Sequence, residues 1–154
     1  VERLLRELEE QNDIVMRPFF TLRSPQQQAV LWRQSRSTDE ILHRIDQMHN
    51  DGMHYLAKVL EDVGPQYGRH VTNAAPGYSW HQWGEAVDCF VLRHGKAVWD
   101  ADDYGYKEYR SRAIDLGLYA GPSWDMVHVQ MRRGPILQHF SPVQIDRHME
   151  DRWA

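Results

Sequence analysis

The chain has 154 residues, 42% hydrophobic and 26% charged, which suits a self-supporting core and excludes both a disordered chain and a membrane-embedded one. Eighteen Lys and Arg stand against 22 Asp and Glu, a formal charge of −4 with no basic stripe, so nucleic acid is not an expected partner. The single cysteine, Cys89, rules out an intrachain disulfide and, within an apolar run, is expected to fill core.

Val1, Leu4, Leu5 and Leu8 recur at helical spacing, so residues 1–11 read as an amphipathic helix, charged on its other face and unlike a leader. Residues 14–22 form a β-rich run whose interior Pro18 suits an edge strand or a bulge. Ser24-Pro25-Gln26-Gln27 has the form of a helix start, with Ser as N-cap, Pro at the first helical position and Gln three residues after the cap. That helix is expected to reach about Gln34. Ser37-Thr38-Asp39-Glu40 is a second capping box, leading into Ile41, Leu42, Ile45 and Met48, and Asn50-Asp51-Gly52 breaks the run. Met53, Leu56, Ala57 and Leu60 form another apolar stripe, followed by a turn-rich stretch over 64–79 of a length that tends to carry function.

Residues 84–92 read as a strand, His94-Gly95 as a turn, and Ala97-Val98-Trp99 as the returning strand of a hairpin. Tyr106, Tyr109, Ala113 and Leu116 mark a helix stopped by Gly117, and Val127–Met131 is a third strand candidate. Ser141-Pro142-Val143-Gln144 repeats the helix-start pattern ahead of Ile145, His148 and Met149. The expected class is α+β, a small central antiparallel sheet flanked by helices. A single domain is expected over 1–154, with an insertion-like helical segment at about 37–68. No apolar stretch approaches the ~20 residues that cross a bilayer.

The informative segment is Ser79-Trp80-His81-Gln82-Trp83-Gly84-Glu85-Ala86-Val87-Asp88. Strand alternation puts Ala86, Asp88 and Phe90 on one face, with Glu85, Val87 and Cys89 on the other. An aspartate in an apolar strand is costly unless its charge is satisfied, and a metal does this well. His81, expected in the loop before the strand, can offer an imidazole to the same ion. Trp124-Asp125-Met126-Val127-His128 supplies a second carboxylate–histidine pair, with His128 beginning a strand. Two histidines and one aspartate leave a coordination position open, the catalytic rather than the closed structural pattern. Asp125 is then the candidate general base, since alternation turns Glu85 away from Asp88. Spacing alone leaves each residue an ordinary reading as a hydrogen-bonded polar group among nine histidines. The run Asp100-x-Asp102-x-Tyr104-Gly105 matches only the start of a calcium loop and reads better as a solvated acidic turn.

Ser79-x-His81-x-x-Gly84-x-Ala86-x-Asp88, with Asp125-Met126-Val127-His128 downstream, resembles the motif pair of the D-alanyl-D-alanine carboxypeptidase and L-alanyl-D-glutamate endopeptidase family of zinc peptidases. The resemblance implies a Zn²⁺ site at the sheet held by His81, Asp88 and His128, with Ser79 orienting the ligands. Leu22-Arg23-Ser24 is similar to the family's Tyr-Arg-Ser stretch, which implies a substrate-binding, charge-stabilising role for Arg23. Segments 71–79 and 115–121 are similar to the phage endolysin branch in particular. The implied activity is hydrolysis of a peptide bond in peptidoglycan stem peptides, with the L-alanyl–D-glutamate bond first. The alternatives are D-alanyl-D-alanine carboxypeptidase or dipeptidase action, and a zinc-containing binding module without turnover. Two departures bear on specificity: a short approach, Ala120 to Trp124, before Asp125, and the longer helical stretch at 37–68. Such an enzyme acts at the cell wall or periplasm, reached either as an endolysin released from the cytoplasm or by export, and a monomer is the default expectation.

Overall fold

The period-two alternation of residues 84–92 becomes a strand with Val87, Cys89 and Val91 buried on one side, and that strand organises the sheet. In the computed structural model, which describes residues 1–154, the chain begins α1 (Glu2–Asn12), β1 (Val15–Phe20), α2 (Pro25–Arg33), α3 (Thr38–Asn50), α4 (His54–Asp62) and α5 (Trp80–Trp83). It continues β2 (Ala86–Arg93), β3 (Lys96–Val98), α6 (Tyr104–Asp115), β4 (Tyr119–Ala120), β5 (His128–Gln130), a 3₁₀ turn (Ile136–Gln138) and α7 (Pro142–Trp153). Every strand pairing is antiparallel, so the α+β class read from the order of elements is what forms. No helix is long and apolar enough to cross a membrane.

The elements fall into two compact units, each built from two chain segments. The first, Val1–Leu22 with Glu85–Arg133, holds the sheet, in the order β1-β2-β5-β4 with β3 also paired to β2. Its core joins Leu4 and Leu8 of α1, Val87, Cys89 and Val91 of β2, and Tyr106, Tyr109 and Ala113 of α6. Cys89 is fully buried there and burial pushes its thiol up to about 11, the state of a core filler rather than a nucleophile. Pro18 lies on the edge strand, where its missing N–H costs no ladder bond, and the register shifts between Pro18 and Phe20. Asp103 caps α6, accepting from the Gly105 N–H at 2.8 Å, and Arg93 at the end of β2 reaches the same carboxylate.

The second unit, Arg23–Gly84 with Gly134–Ala154, is helical. The Ser-Pro-x-Gln starts at Ser24 and Ser141 form complete capping boxes. At Ser37 only half of the expected box closes. Its hydroxyl accepts from the Glu40 N–H, but the Glu40 carboxylate meets that hydroxyl instead of the cap's own N–H. Within 37–68, Ile41, Ile45, Met48, Leu56, Ala57, Val59 and Leu60 are all buried, so this stretch supplies much of the unit's core. α4 has no side-chain cap of its own. Asp146 of α7 does that work, accepting from the Tyr55 and Leu56 N–H groups at 3.2 and 2.8 Å, which explains a carboxylate buried in a helical core.

Candidate metal centre

Asp88 and His128 are held by sheet register. β2 pairs with β5 so that Asp88 lies opposite His128, which sends both side chains to one face. His128 Nδ1 is 3.0 Å from Asp88 Oδ1, and each side chain is only about one-seventh exposed (13% and 14%). The other ring nitrogen, Nε2, lies 2.9 Å from Gln130 Oε1. An amide oxygen only accepts, so Nε2 carries the proton and Nδ1 is left facing a carboxylate at close range. Two such acceptors tolerate 3.0 Å only with a cation or a second proton between them. The pKa of His128 agrees: burial pushes it down, but Asp88, Gln130 and Asp125 together hold it above the ordinary histidine value. The pocket favours positive charge at that position.

Gln130 was not singled out from the sequence. Its signal was there, because a residue two positions on from His128 in a strand shares its face. The turn that brings Asp125 towards the strand needs Gly121. A Cβ there would lie 2.9 Å from His128 Cβ and 3.0 Å from the Asp125 carbonyl oxygen, and the Gly121 N–H bonds to the His128 carbonyl at 2.8 Å. Asp125 itself closes that turn, donating its N–H to Pro122 at 2.9 Å and accepting from the His128 N–H at 3.3 Å. Glu85, as alternation required, is engaged elsewhere, in an ion pair with Arg132 at 2.8 Å.

His81 is fixed by different means, and here the sequence reading is corrected. It is not in a loop but inside the four-residue helix α5, where it is 3% exposed. The helix is short enough to escape periodicity, yet Ser79-x-x-Gln82 is the same capping box that marks the other starts. Ser79 Oγ accepts from the His81 N–H at 3.3 Å, and Gln82 Oε1 accepts from the N–H groups of Ser79 and Gly77, each at 3.3 Å. Ser79 therefore caps the helix that carries His81 and bonds to the His81 backbone. Gly84 ends α5 at φ +73°, the left-handed cap that a glycine adopts without strain. The C-terminal segment secures the helix: Arg152 and Trp153 donate to the Trp83 and Gln82 carbonyls, and His148 stacks on the Trp83 ring at 4.0 Å.

Arg23 belongs to the same arrangement. Its N–H donates to the His81 carbonyl at 3.2 Å and its Nη1 to Gln28 Oε1 at 2.9 Å. Gln28 is fully buried, accepts also from Gln82 Nε2 at 3.2 Å, and donates to the Ala74 carbonyl at 2.7 Å. It is a second residue the sequence reading missed, hidden inside a Gln-Gln-Gln run on which periodicity is silent.

His81, Asp88 and His128 make one group able to hold a metal ion: each offers one ligand atom, and these atoms all lie within 4.8 Å of one another. Two imidazole nitrogens and one carboxylate oxygen suit zinc, and three protein donors leave a coordination position open. A family model described as D-alanyl-D-alanine carboxypeptidase (VanY) matches residues 1–111, and the chain belongs to that family. The matched stretch contains Arg23, Ser79, His81 and Asp88 and ends before Asp125 and His128. No curated protein matches the chain.

Proposed function

We propose that the protein is a zinc-dependent peptidase that hydrolyses a peptide bond in peptidoglycan stem peptides, with residues 1–154 acting as one catalytic domain. The observation that carries this reading is the donor group His81, Asp88 and His128, whose chemistry fits zinc, in a chain of a peptidase family. Zinc bound there supplies Lewis acidity towards the scissile carbonyl and lowers the pKa of water.

The chain's own residues do the rest. Asp125, on the turn that leads into His128, takes the proton of the attacking water and passes it to the leaving amine. Arg23 donates to the oxygen on which negative charge develops, its guanidinium held in one orientation by Gln28. Gln130 accepts from Nε2–H of His128, so in the neutral ring Nδ1 is the nitrogen that carries no proton, turned towards Asp88. Ser79 and Gly84 hold the two ends of the helix that presents His81.

Two bonds compete. The similarity of segments 71–79 and 115–121 to phage endolysins favours the L-alanyl–D-glutamate bond. The description of the matching family favours a terminal D-alanyl–D-alanine bond, with Arg23 then gripping the substrate carboxylate. Zinc quantification of the purified protein, followed by digestion of disaccharide-pentapeptide and mass spectrometry, tests the whole reading. Separation of the disaccharide-L-alanine part from the rest of the stem supports the first bond, and loss of a single D-alanine supports the second. Absence of zinc together with absence of chelator-sensitive hydrolysis overturns the peptidase reading and leaves a binding module.

A further inference from the structure

The face of the sheet that carries Asp88 also carries a group of aromatic rings with no place in the chemistry above. Phe90 lies two residues along β2 from Asp88, on the same face, about 7 Å away along the strand. The shift of register at Pro18 inserts an extra residue in β1, setting Phe20 opposite Asp88 and bringing Phe19 over to Phe90. The Phe19 ring sits 6.0 Å from Phe90 and 5.4 Å, edge-on, from Trp99, while Phe90 and Trp99 are 5.5 Å apart. Trp99 is 56% exposed and Phe19 37%, so the group is an open apolar platform and not a core.

The proposed substrate narrows what such a platform can hold, and the inference rests on that reading. Stem peptides consist of alanine methyls, carboxylates and an amine-bearing residue, none of which offers a broad apolar face. The broad faces belong to the sugar rings of the glycan, whose C–H surfaces stack on aromatic rings. Length then selects the bond. In the stem the L-alanyl–D-glutamate carbonyl is one residue, ~3.5 Å, plus a lactyl arm from the sugar, whereas the D-alanyl–D-alanine carbonyl is four residues, about 14 Å in extended form, from the same arm. A platform starting about 7 Å from Asp88 matches only the first. We infer that Phe19, Phe90 and Trp99 form a glycan subsite that binds the sugar bearing the stem peptide and so directs hydrolysis to the L-alanyl–D-glutamate bond.

The test uses the full chain loaded with zinc, two substrates, and one peptide-free ligand. The substrates are a disaccharide-tetrapeptide and the same tetrapeptide without sugar; the ligand is the N-acetylglucosaminyl-N-acetylmuramic acid disaccharide, titrated calorimetrically. The wild type should prefer the sugar-bearing substrate. Trp99→Ala should lower kcat/KM on it roughly tenfold, chiefly through KM, and leave the sugar-free peptide unchanged. Phe19→Ala should act in the same direction. An equal loss on both substrates, or none on either, overturns the subsite. Should the wild type cleave neither substrate, direction of hydrolysis to the L-alanyl–D-glutamate bond is overturned, and the disaccharide-pentapeptide digestion above tells a D-alanyl–D-alanine peptidase from an inactive protein. The titration still decides the sugar subsite: disaccharide binding lost in Trp99→Ala supports it, and no binding overturns it. A concentration-dependent dimer that Trp99→Ala dissolves, with no disaccharide bound, would show a second copy seated there and overturn it too.

Discussion

In the sheet-bearing unit Asp88 and His128 face each other because β2 and β5 pair in one register, and a slip of one residue would turn both to the wrong face. That register is itself held by the buried side of the same strand, where Val87, Cys89 and Val91 join the core. In the helical unit His81 stands on four residues, too few to be stable alone, and depends on a serine cap, a glycine terminator and two glutamine side chains. The same requirement, one nitrogen or oxygen held still, is met once by a cooperative ladder and once by separable hydrogen bonds. Single substitutions should therefore tune the helical side in steps and leave the sheet side nearly all-or-none.

The largest effects should ignore this contrast. His81→Ala, Asp88→Ala and His128→Ala should each leave the protein without stoichiometric zinc, read by metal analysis, and without hydrolysis. A variant that keeps both is not missing a ligand. Asp125→Ala should keep its zinc and lose turnover by about 10²–10⁴-fold, the range expected for a general base. Wild-type turnover in that variant would move the base to another residue.

Gln28→Leu should show the stepwise behaviour most strongly. It removes the acceptor of Arg23 Nη1 and Gln82 Nε2 and the donor to Ala74, leaving buried polar groups unmatched. The expected cost is about 1–3 kcal/mol by chemical denaturation. Hydrolysis should fall beyond what unfolding explains, because Arg23 is no longer oriented. An unchanged kcat in the folded fraction would show that Arg23 needs no such support.

How much was legible follows the same division. Asp88 could be singled out because period-two alternation makes it an anomaly among apolar residues, and the strand that sets His128 opposite it could be expected from Val127–Met131. Pro18 suited an edge strand or a bulge, and the structure has it on an edge strand beside a register shift. The two-residue β4 was not legible, since pairing with β5 and not local composition makes it a strand. α5 was missed because four residues give no helical period, although the Ser79–Gln82 box stood in plain view. Gln28 was not legible because its partners Gln82 and Ala74 lie 54 and 46 residues away and are brought near only by folding. Contacts of that kind leave no mark on local sequence.

Ser79→Ala sharpens the contrast at smaller scale. Losing the cap should cost about 1 kcal/mol of stability. If the hydroxyl acts by orienting His81, zinc affinity should fall roughly 10–100-fold, and Ser79→Asp, which also caps, should restore most of it. Unaltered affinity in Ser79→Ala would mean that Gln82, Gly84 and the C-terminal clamp hold His81 without it.

The smallest effect belongs to a cap on the sheet side that touches no proposed ligand. The Arg93 hydrogen bond holds the Asp103 carboxyl below the ordinary aspartate range; burial opposes it, and the Gly105 N–H and the Arg93 charge add to the lowering. A carboxyl depressed in the folded state stabilises fully above its unfolded pKa, and the contribution disappears as pH falls through the folded value. Asp103→Asn keeps a capping oxygen and deletes the charge. Because Arg93 is 39% exposed, solvent screening keeps the expected loss at pH 7 below about 1 kcal/mol. Denaturation curves of the two proteins should differ at pH 7 and converge as pH falls from the ordinary aspartate pKa through the depressed Asp103 value, with zinc content equal in both at pH 7. A gap that persists in acid would assign the loss to cap geometry instead of charge, and a fall in zinc content would show that the sheet side, too, can be tuned from a distance.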